Sequence, residues 1–179
     1  ILFSQDGFGQ HLASSARFDD DFSSCVSQLV LDDAVVDYYA NILMPFGQLI
    51  LDAVSNLGKL DVKPSIIAPD HGIIWRANPG QVIDSYMAMA QGKADLRALI
   101  VYDTMWHSTE MMSVPISEGI MDEGVACRIL KLRATPMNVV IKEFWKARGT
   151  LFGTPTLNNI VYPSVAECLT HIRGRWGKR

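Results

Sequence analysis

Residues 98–112 read ALIVYDTMWHSTEMM. The apolar run Leu99, Ile100, Val101 and Tyr102 breaks at Asp103, and a hydroxyl-bearing loop with Thr104, Trp106, Ser108 and Thr109 leads into helix-like sequence from Glu110. That order predicts strand, loop and helix, with hydroxyls and free backbone N–H groups gathered at a helix N-terminus. Such a turn holds a phosphate without any Lys or Arg. The pattern by itself carries two readings: a phosphate loop for a bound mononucleotide, or an ordinary βα loop whose hydroxyls cap the helix.

The same rhythm continues outward from this stretch. Strands are predicted over 99–102, 126–132 and 150–153, each followed by a helix, over 108–123, 138–146 and 164–172. Three β-α units in succession imply a parallel sheet with right-handed crossovers. Ligands of such sheets bind beyond the C-terminal strand ends. Two loops lie there. The first runs from Thr104 through Met105, Trp106, His107 and Ser108 to Thr109; the second holds Thr154, Pro155, Thr156, Leu157, Asn158 and Asn159. The second offers small, polar, backbone-rich contacts suited to a flat heteroaromatic ring, and Trp106 is an expected packing partner for that ring. Met87, Met89, Met105, Met111 and Met112 are expected to pack rather than to ligate.

Upstream the periodicity changes. Residues 1–4 read as the end of a buried strand, and the chain opens on Ile1 rather than Met, which suggests an interior piece of a longer protein. Residues 5–21 read as loop. Asp32 and Asp33 are expected to cap a helix from about Ala34, with Val35, Tyr38, Tyr39, Ile42 and Leu43 on its apolar face. Pro45 should end or kink it, and Phe46, Leu49, Ile50, Ala53, Val54 and Leu57 resume the pattern up to Gly58. A short strand over 65–68, closed by Pro69, puts His71 and Gly72 just past its end. Pro79 opens a helix to about Ala90. The polar QGKAD at 91–95 is the best domain boundary, giving domains 1–95 and 96–179.

Composition narrows the function. With 179 residues and a formal net charge of −3, no broad basic surface points to nucleic acid. No apolar run approaches a membrane span, the longest candidate (42–54) being interrupted by Asp52. Cys25, Cys127 and Cys168 are too few and too scattered for a disulfide framework or a Cys-x-x-Cys site, so a cytoplasmic setting is expected. Arg173, Arg175, Lys178 and Arg179 read as a solvated tail.

The segments YDTMWHSTEMM and FGTPTLNN resemble the flavodiiron proteins (A-type flavoproteins, including rubredoxin:oxygen oxidoreductases). So do LFSQDGFGQH at 2–11, YYANILMPF at 38–46 and IAPDHGIIWR at 67–76, in the family's order. The resemblance implies an α/β chain: the C-terminal part of a metallo-β-lactamase fold (αββα sandwich), then the first half of a flavodoxin-like doubly wound parallel sheet. It implies FMN held by Thr104 through Thr109 and Thr154 through Asn159, and two non-haem iron ions. Asp6 matches the carboxylate bridging both irons, and His71 a terminal imidazole ligand. Without that family context, Asp6 reads as a turn residue and His71 as a loop residue. His11 and Asp70 are candidates for supporting the metal site, and His107 for a hydrogen bond in the phosphate loop.

The implied activity is reduction of dioxygen, nitric oxide or both at the diiron site, with electrons from a rubredoxin-like donor or another reductase passing through FMN. A head-to-tail homodimer is implied as well. The family's His-x-Glu-x-Asp-His motif is absent from this chain, so two protein ligands remain for two ions. That leaves two alternatives open: a flavodoxin-like FMN electron carrier without metal chemistry, or a non-catalytic truncated chain.

Overall fold

The computed structural model describes residues 1–175. The chain divides into two compact units, Ile1–Lys93 and a second beginning at Ala94.

In the first unit, β1 (Leu2–Gln5) pairs in parallel with β2 (Ile67–Pro69), Leu2 opposite Ile67 and Phe3 opposite Ala68, with a bulge before Gln5. The expectation of a buried first strand is corrected: Ile1 and Phe3 are exposed, because only one face of β1 is covered among the described residues. The predicted loop over 5–21 ends in a short helix, α1 (Asp19–Ser23). The next helix, α2 (Gln28–Tyr38), starts well before the expected Asp32–Asp33 cap. Ser27 is its N-cap and accepts a hydrogen bond from the Leu29 N–H.

Pro45 acts as expected. It has no N–H to donate back to the preceding turn and its ring crowds that turn. The chain widens into a π turn over Tyr39–Leu43 and tightens into a 3₁₀ turn over Met44–Phe46 before α3 (Gly47–Lys59) resumes. Although Asp52 interrupts it, the whole run Gln28–Lys59 is long and apolar enough, by length and composition, to cross a membrane. A core helix of a globular domain passes the same test, and Leu31, Val35, Tyr38, Tyr39 and Leu43 of this run are buried in the unit's core. α4 (Pro79–Ala90) begins where the sequence places it, with Pro79 in its first turn and the Asn78 side chain accepting from the Gln81 N–H. Tyr86 of α4 is fully buried between Phe8 and Tyr39, with ring centroids 4.7 and 5.7 Å away.

The second unit is three β-α units in the predicted order. β3 (Asp95–Tyr102), α5 (Ser108–Asp122), β4 (Ala126–Lys131), α6 (Met137–Lys146), β5 (Ala147–Gly153) and α7 (Pro163–Arg175) form a parallel sheet in the order β4-β3-β5. That is the 2-1-3 start of the flavodoxin-like order. Central β3 is buried from Leu99 to Tyr102, which explains its unbroken apolar run. Between β5 and α7 the chain forms a small hairpin, β6 (Thr156–Leu157) and β7 (Ile160–Val161). Glu143 on α6 is buried against Arg97 and Arg128 of the sheet, at 3.2 and 2.9 Å. The tail residues Lys178 and Arg179 lie outside the described residues.

Candidate functional site

The first unit gathers a polar cluster at the ends of its two strands. Asp6 stands on the turn after β1, where Gln5 and Phe8 both have positive φ and Ser4 Oγ donates to the Gly7 carbonyl. His71 follows β2, and its Nε2 lies 3.3 Å from Asp6 Oδ1. The Tyr38 hydroxyl, from α2, donates to the same oxygen at 3.3 Å. The His11 ring packs edge-on against Tyr38 and His71, with centroids 4.8 and 5.4 Å away. Burial, and next the charge of Asp6, push the Tyr38 hydroxyl up to about 12, so it stays a hydrogen-bond donor at ordinary pH. The side chains of Asp6 and His71 remain about half exposed. Asp70, a candidate beside them, donates its N–H to the Gln5 carbonyl at 2.9 Å, and its charge also acts on Tyr38.

These residues fit a metal ion in part. Bonds of about 2.0–2.2 Å from metal to nitrogen or oxygen put neighbouring donors roughly 3 Å apart. The spacing of Asp6 Oδ1 and His71 Nε2 suits ligands sharing one ion. Among the described residues, no group of three or more His, Cys, Asp or Glu side chains completes a metal site.

The second unit brings both predicted loops to one end of its sheet. Tyr102 and Gly153 are paired across β3 and β5, so the loop from Asp103 and the segment from Thr154 leave the sheet side by side. They approach closely: a Cβ on Gly153 would stand 2.8 Å from Thr109 Cγ2 and 2.9 Å from Tyr102 Cβ. α5 begins after His107, which adopts the left-handed conformation (φ 66°) and gives its helix no side-chain cap. The first N–H groups of α5 are therefore left to other acceptors, at the positive end of the helix. Thr104 is buried, and its hydroxyl has no hydrogen-bond partner. An orphaned buried hydroxyl beside an uncapped helix start fits an anionic ligand such as a phosphate.

Other predicted residues are placed differently. The His107 ring is held by Glu110, with Nδ1 2.9 Å from Oε2. Ser108 and Trp106 are exposed, Trp106 at 86%, and Met105 is half-buried. Met111 and Met112, expected to pack, are exposed on α5 at 73% and 62%. Thr154, Pro155, Thr156, Leu157, Asn158 and Asn159 are not a plain loop. They build the β6–β7 hairpin, with Asn158 and Asn159 both at positive φ in the turn. Asn tolerates that conformation, and two successive positive φ values match the twist of a tight hairpin. Thr154 Oγ1 closes its base by accepting from the Tyr162 N–H at 3.0 Å.

Two residues of the first cluster are not marked as functional by the sequence. Tyr38 falls on an apolar helix face, and its one signal is that a buried tyrosine hydroxyl needs a partner. Gln10 is fully buried and bonds on both sides of Ile73; nothing local to its sequence marks it.

No protein-family model matches the chain. It is 42% identical over 174 residues to a protein from Moorella thermoacetica named nitric oxide reductase, covering 97% of this chain and 43% of that relative. Among solved structures it is similar to the rubredoxin oxygen:oxidoreductase of Desulfovibrio gigas, with a TM-score of 0.92 and 35% identity over 97% of this chain and 43% of that one. It is also similar to the flavodiiron protein of Giardia intestinalis, with a TM-score of 0.89 and 29% identity over 97% of this chain and 41% of that one. The chain spans about two fifths of the length of these relatives.

Proposed function

We propose, from the chain's place in the flavodiiron family, that it supplies part of an oxidoreductase reducing dioxygen, nitric oxide or both. Its metallo-β-lactamase-like unit contributes Asp6 and His71 to a non-haem diiron site, and its flavodoxin-like unit holds FMN. The observation that carries this reading is the approach of Asp6 Oδ1 and His71 Nε2, from two separate strand ends, to 3.3 Å. When bound, the irons supply the redox site for the diatomic and FMN supplies electrons to it.

The chain's own residues have defined tasks in this scheme. Asp6 offers a carboxylate with two oxygens, one of them oriented by the Tyr38 hydroxyl. His71 offers an imidazole, a good iron ligand. Thr104 through Thr109 receive the phosphate on the α5 N–H groups and the buried Thr104 hydroxyl. Thr154 through Asn159 flank the isoalloxazine, and the β6–β7 hairpin gives that flank a fixed shape. A rubredoxin-like or reductase donor and a head-to-tail homodimer complete the scheme. The three free cysteines agree with a reducing, cytoplasmic setting.

The test is to purify the intact protein, measure FMN and iron per chain, and assay consumption of dioxygen and nitric oxide with a reduced donor. Flavin with two irons and turnover is expected, and Asp6→Ala or His71→Ala should lower iron content without lowering flavin. Flavin without iron would favour the electron carrier; neither cofactor would favour the non-catalytic chain. The 179-residue chain by itself is expected to show no turnover, since two protein ligands do not fix two ions.

A further inference from the structure

We propose that Gln10 is a positioning residue, clasping the His71 loop to the Asp6 loop so that the two side chains keep the spacing a shared metal site needs. The proposal rests on the metal-site reading above. Gln10 has no exposed surface. Its Oε1 accepts from the Ile73 N–H at 2.6 Å, and its Nε2 donates to the Ile73 carbonyl at 3.3 Å. Its own N–H donates to the His71 carbonyl at 3.2 Å. One residue therefore binds the backbone on both sides of Gly72, beside a candidate ligand, and does the work of a missing strand pair.

Only an amide of this length does so. Ile73 presents one donor and one acceptor, and a primary amide answers both at once. A carboxylate loses the donor, and Asn is one methylene short. Gly72 is the counterpart of this fit. It sits at φ +85°, and a Cβ there would overlap the Gln10 amide oxygen. Two more buried bonds hold the Asp6 side of the clasp: Trp75 Nε1 donates to the Phe8 carbonyl at 2.9 Å, and the Tyr86 hydroxyl donates to the Gly9 carbonyl at 3.2 Å. The backbone from Phe8 to Gln10 is thus tied to the elements that follow β2, while Asp6 and His71 stand at the outer, half-exposed end of the same junction.

Co²⁺ uptake by the intact protein, read by affinity and by the visible absorption of the bound ion, tests the role. Val82→Ala serves as a control that thins the core at a buried α4 position and removes none of the hydrogen bonds named above. Gln10→Glu is expected to weaken Co²⁺ binding at least tenfold and to alter the spectrum, whereas V82A lowers the melting temperature with affinity and spectrum unchanged. Should Q10E not fold, Gln10→Asn carries the test: an altered spectrum supports the clasp, and a wild-type spectrum overturns it. Wild-type affinity and spectrum in Q10E also overturn the role of Gln10, as does a loss that V82A reproduces. A wild-type protein that takes up no Co²⁺ overturns the metal-site reading itself, and this proposal with it.

Discussion

Arg133 Nε donates to Asp103 Oδ1 across 2.8 Å, joining the turn after β4 to the buried residue that follows β3. The same guanidinium donates to the Thr104 carbonyl and lies over the Tyr162 ring, 5.7 Å from its centroid. The same Oδ1 of Asp103 accepts from the Thr104 N–H at 2.7 Å, and the other oxygen, Oδ2, accepts from Ser164 Oγ at 2.6 Å. Burial works against the Asp103 charge, but the bonds from Ser164, the Thr104 N–H and Arg133 outweigh it and hold the carboxyl below its ordinary range. The start of the proposed phosphate loop is therefore anchored to two neighbouring connections.

Removing that anchor should loosen the loop. Arg133→Ala leaves a buried carboxylate with two partners instead of three, so a loss of stability is expected, moderated by the solvent around the half-exposed guanidinium. Ser164→Ala should cost about 1 kcal/mol. Urea unfolding measures both, and FMN titration of the same variants should show weaker binding for R133A than for S164A.

Acid should weaken the first turn of α5. Hydrogen bonds from His107, Tyr102 and Lys131 pull the Glu110 carboxyl down to about 2, against a usual value of 4.5. A carboxyl with a lowered folded-state value stabilises fully above its unfolded value and loses that stabilisation as pH falls through the folded one. The contribution of Glu110 is thus complete above about pH 4.5 and vanishes between there and pH 2. Melting temperatures across this range should fall less steeply for Glu110→Gln than for wild type. Equal slopes would remove Glu110 as the cause.

Asp19 predicts a loss in the first unit. Its buried carboxylate accepts from three successive backbone N–H groups, those of Arg76, Ala77 and Asn78, at 2.9 to 3.3 Å. Asp19→Ala would orphan these donors at the start of α4. A loss of about 2–3 kcal/mol is expected by calorimetry, with Asp19→Asn retaining part of it.

Gly153→Ala probes the junction of the two proposed flavin loops. The added methyl meets the Thr109 and Tyr102 side chains at under 3.0 Å, so these side chains or the backbone at 153 must shift. The expected cost is about 1–2 kcal/mol, with FMN affinity falling alongside. Unchanged flavin binding in a folded G153A protein would separate this junction from the flavin site.

The alternation of strand and helix after residue 95 was legible because its signals are local. Apolar runs of strand length, the break at Asp103 and helical spacing each sit within one element. Pro79 and Pro45 were equally legible, since proline acts on its own backbone. The start of α2 was missed because two adjacent aspartates outweighed the serine at position 27 that caps it. The β6–β7 hairpin carried a signal as well, two asparagines between short apolar pairs, but the segment read as loop.

Sequence alone determined the alternation of strand and helix after residue 95 and the residue types able to hold a phosphate or a metal; the flavodoxin-like sheet came only with the family resemblance. Tertiary structure decided which of them meet. Tyr38 and His71 reach Asp6 from separate elements, and Gln10 finds Ile73 far along the chain, contacts that no local period encodes. The same holds for the opening stretch. Its strand, loop and helix were written in residues 98–112, whereas the anchoring of Asp103 by Arg133 and Ser164 exists only once three connections converge at one end of the sheet.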